Sequence, residues 1–368
     1  MPEIIIKSRT EHLTFSDIRA EVREGDITLS KGHFTLTEST FASTRIKTLL
    51  AGGIATPVHF RRGGNVRKMF EYIHEYAVNE GAAVSLLHPF SFSYYNKFGY
   101  EKVADHLIVR FPTRMIDFVP RECNFVPFDN KMLPDVIAIN EKFAKGRNLL
   151  LPKYRIHPYA KEKLFTYVCY DGNEPIAYLT YTTRQKLMVN HYVDGVITVH
   201  ELAYTSPKAL REIFSFLKMF EGEFDEVEFA NLSPCPEADI LLRHYTHTKY
   251  ELLPDIMARI LNTESLLLAQ DYPKQNGEFT LKILDTMPTV AGVYKVCYGN
   301  GEKEVRKLSD SADADMTLGA DALVRLIYGY DGIGASEAEY IEGIKINNDP
   351  SDFFRAFPKR PCGMFEHF

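Results

Sequence analysis

Val66, Met69, Phe70, Ile73 and Ala77 recur about every 3.6 residues and predict an amphipathic helix starting at Val66. An apolar run over 48–55 leads into it and reads as a strand, and further strands are expected at 82–87 and around Val103. Ahead of these, residues 26–29 and 33–37 look like a hairpin turning on Lys31-Gly32. The stretch 123–260 repeats the plan. A helix is expected over 133–143, then a hairpin of 164–170 and 175–181 about Asp171-Gly172-Asn173. A strand at 196–203 follows, and Pro207 opens a helix with Leu210, Ile213, Phe214 and Leu217 on one face. A strand at 226–230 closes the set. Beyond it, Asn262 caps a helix carrying Leu266, Leu267 and Leu268. Alternation in Phe279, Leu281 and Ile283, and in Val293, Tyr294 and Val296, predicts two strands, with helices at 318–328 and 350–357. Interleaved strands and helices of this kind predict an α+β chain with mixed α/β sheets, divided into domains over 1–115, 120–260 and 262–368.

Composition narrows the function classes. Apolar residues make up 45% and charged residues 25%, the balance of an ordinary soluble globular protein. Lys plus Arg (43) less Asp plus Glu (49) leaves −6, which argues against coating nucleic acid and suits an amine or polycationic substrate. Five scattered cysteines form no Cys-x-x-Cys pair, so a metal site is not expected and a reducing compartment is. The opening Met1-Pro2-Glu3-Ile4-Ile5-Ile6-Lys7 is too short in apolar residues for a signal peptide, and no segment approaches about eighteen uninterrupted apolar residues. A cytoplasmic protein with neither membrane nor nucleic-acid partner is the expectation.

The chemistry concentrates where the first long apolar strand meets its helix. Arg61-Arg62-Gly63-Gly64-Asn65-Val66-Arg67 joins them. A strand, a glycine turn and a helix N-terminus make an anion site, because N–H groups without intrahelical partners point outward and the helix dipole favours negative charge. Gly63 and Gly64 admit backbone shapes closed to other residues, and arginine matches phosphate oxygens in geometry. The turn is neither a Walker loop, since no Gly-Lys-Ser/Thr follows, nor a Gly-x-Gly-x-x-Gly fingerprint. By itself it is equally readable as an ordinary strand-to-helix connection with surface arginines.

After the helix, the strand at 82–87 ends at His88-Pro89, and Tyr95-Asn96-Lys97-Phe98-Gly99-Tyr100 follows. Arg-x-x-Gly-x-Val before a helix, then a strand, then Tyr-x-x-Phe-Gly-Tyr, resembles the acetyl-CoA core of the GNAT acyltransferases. Ile54-Ala55-Thr56-Pro57 ahead of the turn is most similar to the enhanced-intracellular-survival (Eis) acetyltransferases within them. His200-Glu201-Leu202-Ala203 before Thr205-Ser206-Pro207 resembles the second, cofactor-free GNAT domain of that family. Leu318-Gly319-Ala320-Asp321-Ala322-Leu323 and the terminal Phe357-Pro358-x-Arg360-Pro361 resemble its closing sterol-carrier-like domain. One departure lies at the front, where a GNAT domain opens with a strand and one or two helices. No clear amphipathic helix stands among the first fifty residues, so the start reads as abbreviated or diverged.

The resemblance implies tandem GNAT domains and acetyl-CoA as cosubstrate. Pyrophosphate would lie on Arg61, Arg62, Gly63, Gly64, Asn65, Val66 and Arg67, with Ile54, Ala55 and Thr56 along the pantetheine arm and Phe90 and Ser91 in the same site. Tyr95 would protonate the leaving thiolate, although an aromatic core residue is the plainer reading of it. The C-terminal carboxylate of Phe368 would be the general base, anchored by the burial of its ring, and His88 would relay a proton through water or be a surface histidine. The acceptor would be a primary amine, on an aminoglycoside-like polyamine or a lysine side chain, and the assembly a homohexamer. The alternative from another class is a non-catalytic small-molecule or lipid-binding protein that has lost its acceptor site.

Overall fold

A computed structural model describes residues 2–117, 121–156, 163–187, 193–242 and 245–368. The chain forms two compact units, one of Met1–Ala104, Asp255–Cys362 and His367–Phe368, the other of Asp105–Pro254 and Gly363–Glu366.

The first unit opens with four antiparallel strands, β1 (Glu3–Glu11), β2 (Ser16–Glu24), β3 (Ile27–Phe41) and β4 (Thr44–Ala55). Helix α1 (Asn65–Asn79) then returns the chain to β5 (Val84–Leu87), which pairs parallel to β4. Met257–Ile260 and Glu101–Lys102 complete a seven-stranded sheet in the order β1-β2-β3-β4-β5, Met257–Ile260, Glu101–Lys102. Ile18, Ala20 and Val22 of β2 and Phe34 and Leu36 of β3 form one core with Met69, Phe70, Ile73 and Ala77 of α1. The expected face of the helix is therefore the buried one.

The expected hairpin about Lys31-Gly32 is not formed, because residues 27–41 are a single long strand. Reversals fall instead at Gly25 (φ 57°) before β3 and at Ala42 (φ 54°) after it. Gly32 serves packing, since a Cβ there would come within 2.7 Å of the Phe34 ring.

A second sheet in this unit orders Glu302–Leu308, Gly292–Gly299, Gly277–Leu284, Met316–Gly319 and Lys345–Ile346. Phe279 packs against Phe353 and Phe357, at ring-centroid distances of 5.4 and 6.1 Å. Asn262 caps Thr263–Ala269 as expected, accepting from the Ser265 N–H at 2.9 Å. Leu318 is in a strand and the helix begins at Ala320. Met316 and Leu318 are both wholly buried, and the two-residue spacing of that pair suits a sheet paired parallel to Leu281 and Ile283.

In the second unit one seven-stranded sheet runs Lys249–Pro254, Asp105–Pro112, Glu226–Phe229, Val193–Tyr204, Glu174–Leu187, Leu164–Asp171, Asn124–Pro127. Val193–Tyr204, the helix Pro207–Lys218 and the parallel strand Glu226–Phe229 repeat the β4–α1–β5 plan. Its core also contains a buried charge cluster. The Lys153 ammonium lies 2.5 Å from Glu201 and 3.3 Å from Glu366, and the Tyr178 hydroxyl donates to Glu201 at 2.5 Å. Burial pushes the Glu366 carboxyl up against the opposing pull of Lys153. With the Asn231 amide donating to the Met364 carbonyl at 2.9 Å, the cluster holds residues 363–366 in this unit.

Among the described residues no helix is long and apolar enough to cross a membrane, and no group of three or more His, Cys, Asp or Glu is placed to hold a metal.

Candidate functional site

The site is built where two parallel strands part. β4 and β5 pair from Thr48 opposite Val84 to Leu50 opposite Leu86. β4 then continues to Ala55, while β5 ends at Leu87. On its other side β4 bulges, since His33 faces Gly52 and Lys31 faces Ala55, two intervening residues against one. Gly53 occupies the bulge at φ 55°, the left-handed conformation that such a bulge asks of its first residue. A bulge bends its strand, and here it bends β4 at the point where pairing to β5 has stopped.

The last residue of the chain lies against this strand. A Cβ added to Gly52 would come 3.3 Å from the Phe368 carbonyl oxygen and 3.4 Å from its carbon. A side chain there would press on Phe368 and ask it to give by a few tenths of an ångström. Across the opening, the His88 ring lies 4.8 Å from the Phe368 ring and 4.7 Å from that of His367. Phe368 remains 36% exposed, so its ring lacks the burial expected of it and rests tilted, at 52°, against that of His88. His88 is hydrogen-bonded through Nδ1 to Asp255 at 2.8 Å.

Beyond Ala55 the chain enters the basic turn. Arg62 (φ 65°) and Gly64 (φ 75°) both adopt left-handed conformations, and Gly64 caps α1 with no side-chain acceptor. The first N–H groups of α1 therefore receive no side-chain cap. Arg61 donates to the Thr56 carbonyl at 3.2 Å, the Asn65 amide to the Phe60 carbonyl at 3.4 Å, and Arg67 to the Lys97 carbonyl at 3.5 Å. The Arg67 guanidinium also sits 5.2 Å over the Phe98 ring.

A cavity of about 960 Å³ opens over this turn. Ile54, Ala55, Thr56, Arg61, Arg62, Gly63, Gly64, Asn65, Val66, Arg67 and Phe90 line it, joined by Phe60, Tyr94, Lys97 and Phe98. Four cations and no carboxylate face it. A neighbouring cavity of about 990 Å³ in the same unit has Arg67, Lys97 and Arg259 but also Glu71, Glu75, Asp285 and Asp321. For a polyanion the first is the better host.

Four expected residues lie outside that lining, His88 and Phe368 at the chain end as described, and Ser91 and Tyr95. Ser91 is the N-cap of α2 (Phe92–Asn96), its hydroxyl 3.3 Å from that of Ser93. Tyr95, in α2, is 5% exposed and packs against Phe90, Tyr94, Phe70 and Tyr100 at 5.2–6.2 Å between ring centroids. Burial, with a lesser contribution from Tyr94, pushes its hydroxyl up to about 12. It is thus a protonated phenol at any working pH, the form a general acid requires.

The sequence reading passed over Phe60, Tyr94, Lys97, Phe98 and Asp255 as site residues. Tyr94, Lys97 and Phe98 stood within the aromatic segment already singled out. Asp255 reaches His88 across 167 residues, and nothing local marks it.

The corresponding turn of the second unit is closed. Ser206 caps Pro207–Lys218 with its own hydroxyl, accepting from the Ala209 N–H at 3.2 Å. Arg147, in the adjoining cavity of about 420 Å³, is paired with Glu237 at 2.7 Å, and the Tyr204 hydroxyl donates to the same carboxylate at 2.9 Å. The helix cap and Arg147 are both already occupied, and the cavity also carries the Glu237 carboxylate.

Residues 17–103 match a family model described as an acetyltransferase (GNAT) domain, and residues 150–260 match a second model of the same description. The chain belongs to the GNAT acetyltransferases and carries two such domains in tandem. Acetyl-CoA is the general acetyl donor of that class. The fold is also that of Eis1 from Mycobacterium abscessus, at a TM-score of 0.79 and 16% identity over 95% of this chain and 90% of that one. A GCN5-related N-acetyltransferase from Anabaena variabilis is similar at a TM-score of 0.80 and 17% identity, covering 95% of this chain and 89% of that one. Another from Kribbella flavida has a TM-score of 0.76 and 19% identity over 95% and 87%. At these identities the likeness is one of fold. A search of curated protein sequences finds no match.

Proposed function

We propose that this chain transfers an acetyl group from acetyl-CoA to a primary amine by direct attack, using the site of the first GNAT domain. The observation that carries the reading is the cavity over the Arg61–Arg67 turn, where four cations and an uncapped helix start adjoin the parting of β4 and β5. Pyrophosphate lies on the turn, and the pantetheine arm follows Ile54, Ala55 and Thr56. The amine nitrogen attacks the thioester carbonyl, a C–N bond forms and the C–S bond breaks. The Phe368 carboxylate takes the amine proton, with His88 as relay, and Tyr95 returns one to the thiolate. An aminoglycoside-like polyamine and a lysine side chain both satisfy this chemistry.

Titration calorimetry should register one acetyl-CoA per chain, because the second turn lacks the glycine pair, is capped by Ser206 and has Arg147 paired with Glu237. Two sites per chain would overturn the assignment to the first domain alone. Acetylation of at least one member of a polyamine, aminoglycoside and lysine-peptide panel is the activity test.

The resemblance to Eis-type proteins supports three further readings, a cytoplasmic setting, a sterol-carrier-like fold for residues 262–368 and a homohexamer. Light scattering at micromolar concentration should give a mass several times that of the chain, and a monomer alone would count against it. The lipid-binding alternative gains nothing from the third sheet, whose face is filled by Phe279, Phe353 and Phe357.

A further inference from the structure

We infer that Asp255 is a positioning residue for acetyl transfer, one that sets the tautomer of His88 and leaves its Nε2 as a proton acceptor beside the last residue of the chain. The inference rests on the acetyl-transfer reading above and adds to it a residue from a distant part of the sequence. Asp255 precedes the strand Met257–Ile260, and its backbone is fixed there. Its N–H donates to the Ala104 carbonyl at 3.2 Å, and the Val103 N–H donates to the Ile256 carbonyl at 2.9 Å. The side chains of His88 and Asp255 are 18% and 12% exposed, and Nδ1 and Oδ1 are 2.8 Å apart.

An ionised carboxylate can only accept, so the proton of that bond belongs to Nδ1. Neutral imidazole with Nδ1–H carries its lone pair on Nε2. That Nε2 is buried and has no hydrogen-bond partner among the described residues. A buried acceptor left unmade costs on the order of 1–3 kcal/mol, which a water or substrate proton arriving there would recover. The rings of His367 and Phe368 stand at 4.7 and 4.8 Å and limit rotation of the imidazole. In the reaction the amine proton passes to Nε2, directly or through one water, and on to the Phe368 carboxylate. Asp255 keeps its charge throughout and touches no reacting atom.

The test has a spectroscopic arm and a kinetic arm. Nitrogen-15 spectra of the imidazoles, with the His88 signals assigned by loss in His88→Gln, should show Nδ1 protonated and Nε2 bare in the native chain. In Asp255→Asn the side-chain amide can donate to Nδ1, and the proton should move to Nε2. A native chain with Nε2–H overturns the inference whether or not acetylation has been detected. In the kinetic arm Asp255→Asn should lower kcat/KM about a hundredfold or more, with acetyl-CoA affinity and Tm close to native. Added to His88→Gln, the same change should cost less than about threefold, because two residues acting as one unit do not add. Equal losses in both backgrounds, or full activity of Asp255→Asn, would overturn it as well. If no amine is acetylated by the native chain, the reading of function fails, while the tautomer result still decides the role of Asp255.

Discussion

Appending two residues after Phe368 should lower acetyl transfer by about a hundred- to ten-thousand-fold while acetyl-CoA still binds at native affinity. The Phe368 carbonyl oxygen lies 3.3 Å from the point where a Gly52 side chain would begin, so Phe368 is set against β4. An extension replaces the carboxylate at that point with an amide, which has no charge with which to take a proton from an ammonium. Gly52→Ala tests the same contact from the strand side, since its methyl would come 3.3 Å from the Phe368 oxygen and press on it. Tyr95→Phe should cost a similar factor by a different route, through loss of the proton for the thiolate. Because burial pushes the Tyr95 hydroxyl up to about 12, its protonated form persists to high pH and the sign follows directly. Ionisation of Tyr95 should produce no alkaline fall in kcat below about pH 11. Rates for native, extended and Tyr95→Phe chains on one responsive amine decide the matter. Full activity of the extended chain would remove the terminal carboxylate from the mechanism and leave His88, through water, as the base.

Gly64→Glu should weaken acetyl-CoA binding on the order of a hundredfold or more, which corresponds to about 2.7 kcal/mol. Two effects act together. A carboxylate is set into a cavity that otherwise presents only positive charge, and the residue must hold φ 75°, which costs a non-glycine residue about 1–2 kcal/mol. Nothing lies within 4 Å of a Cβ at this position, so the change meets no packing obstacle. Gly64→Asn separates the two effects, because asparagine tolerates the left-handed region and carries no charge. Calorimetry should find Gly64→Asn within about tenfold of native and Gly64→Glu beyond reach. Unchanged binding by Gly64→Glu would move the phosphate site away from this turn.

The parts of the site that were legible in the sequence are those made by neighbours in the chain. The turn Arg61-Arg62-Gly63-Gly64 announces its chemistry by residue type, and α1 announces its inner face by the spacing of Val66, Met69, Phe70, Ile73 and Ala77. Asn262 as a cap, Pro207 as a helix opener and Asp171-Gly172-Asn173 as a hairpin turn are equally local, and the structure has each of them. Lys31-Gly32 misled because glycine is a turn signal only when its backbone is what matters. Here the absence of a Cβ makes room for Phe34.

What the order of residues determined by itself was the repeated strand–helix–strand plan and the place of the basic glycine turn, because hydrogen bonds and periodicities within about four residues decide those. Tertiary structure alone decided which strands share a sheet. Met257–Ile260 falls at the end of the second GNAT segment yet pairs with β5 of the first, and Asp105–Pro112 follows the first yet pairs with Glu226–Phe229. Pairing between strands is a contact over long sequence separation, and the backbone groups that make it are alike in every residue but proline. The same holds for the meeting of Asp255, His88, Phe368 and Gly52, whose side chains and backbone come together beyond the last pairing of β4 with β5, where β4 bulges against β3.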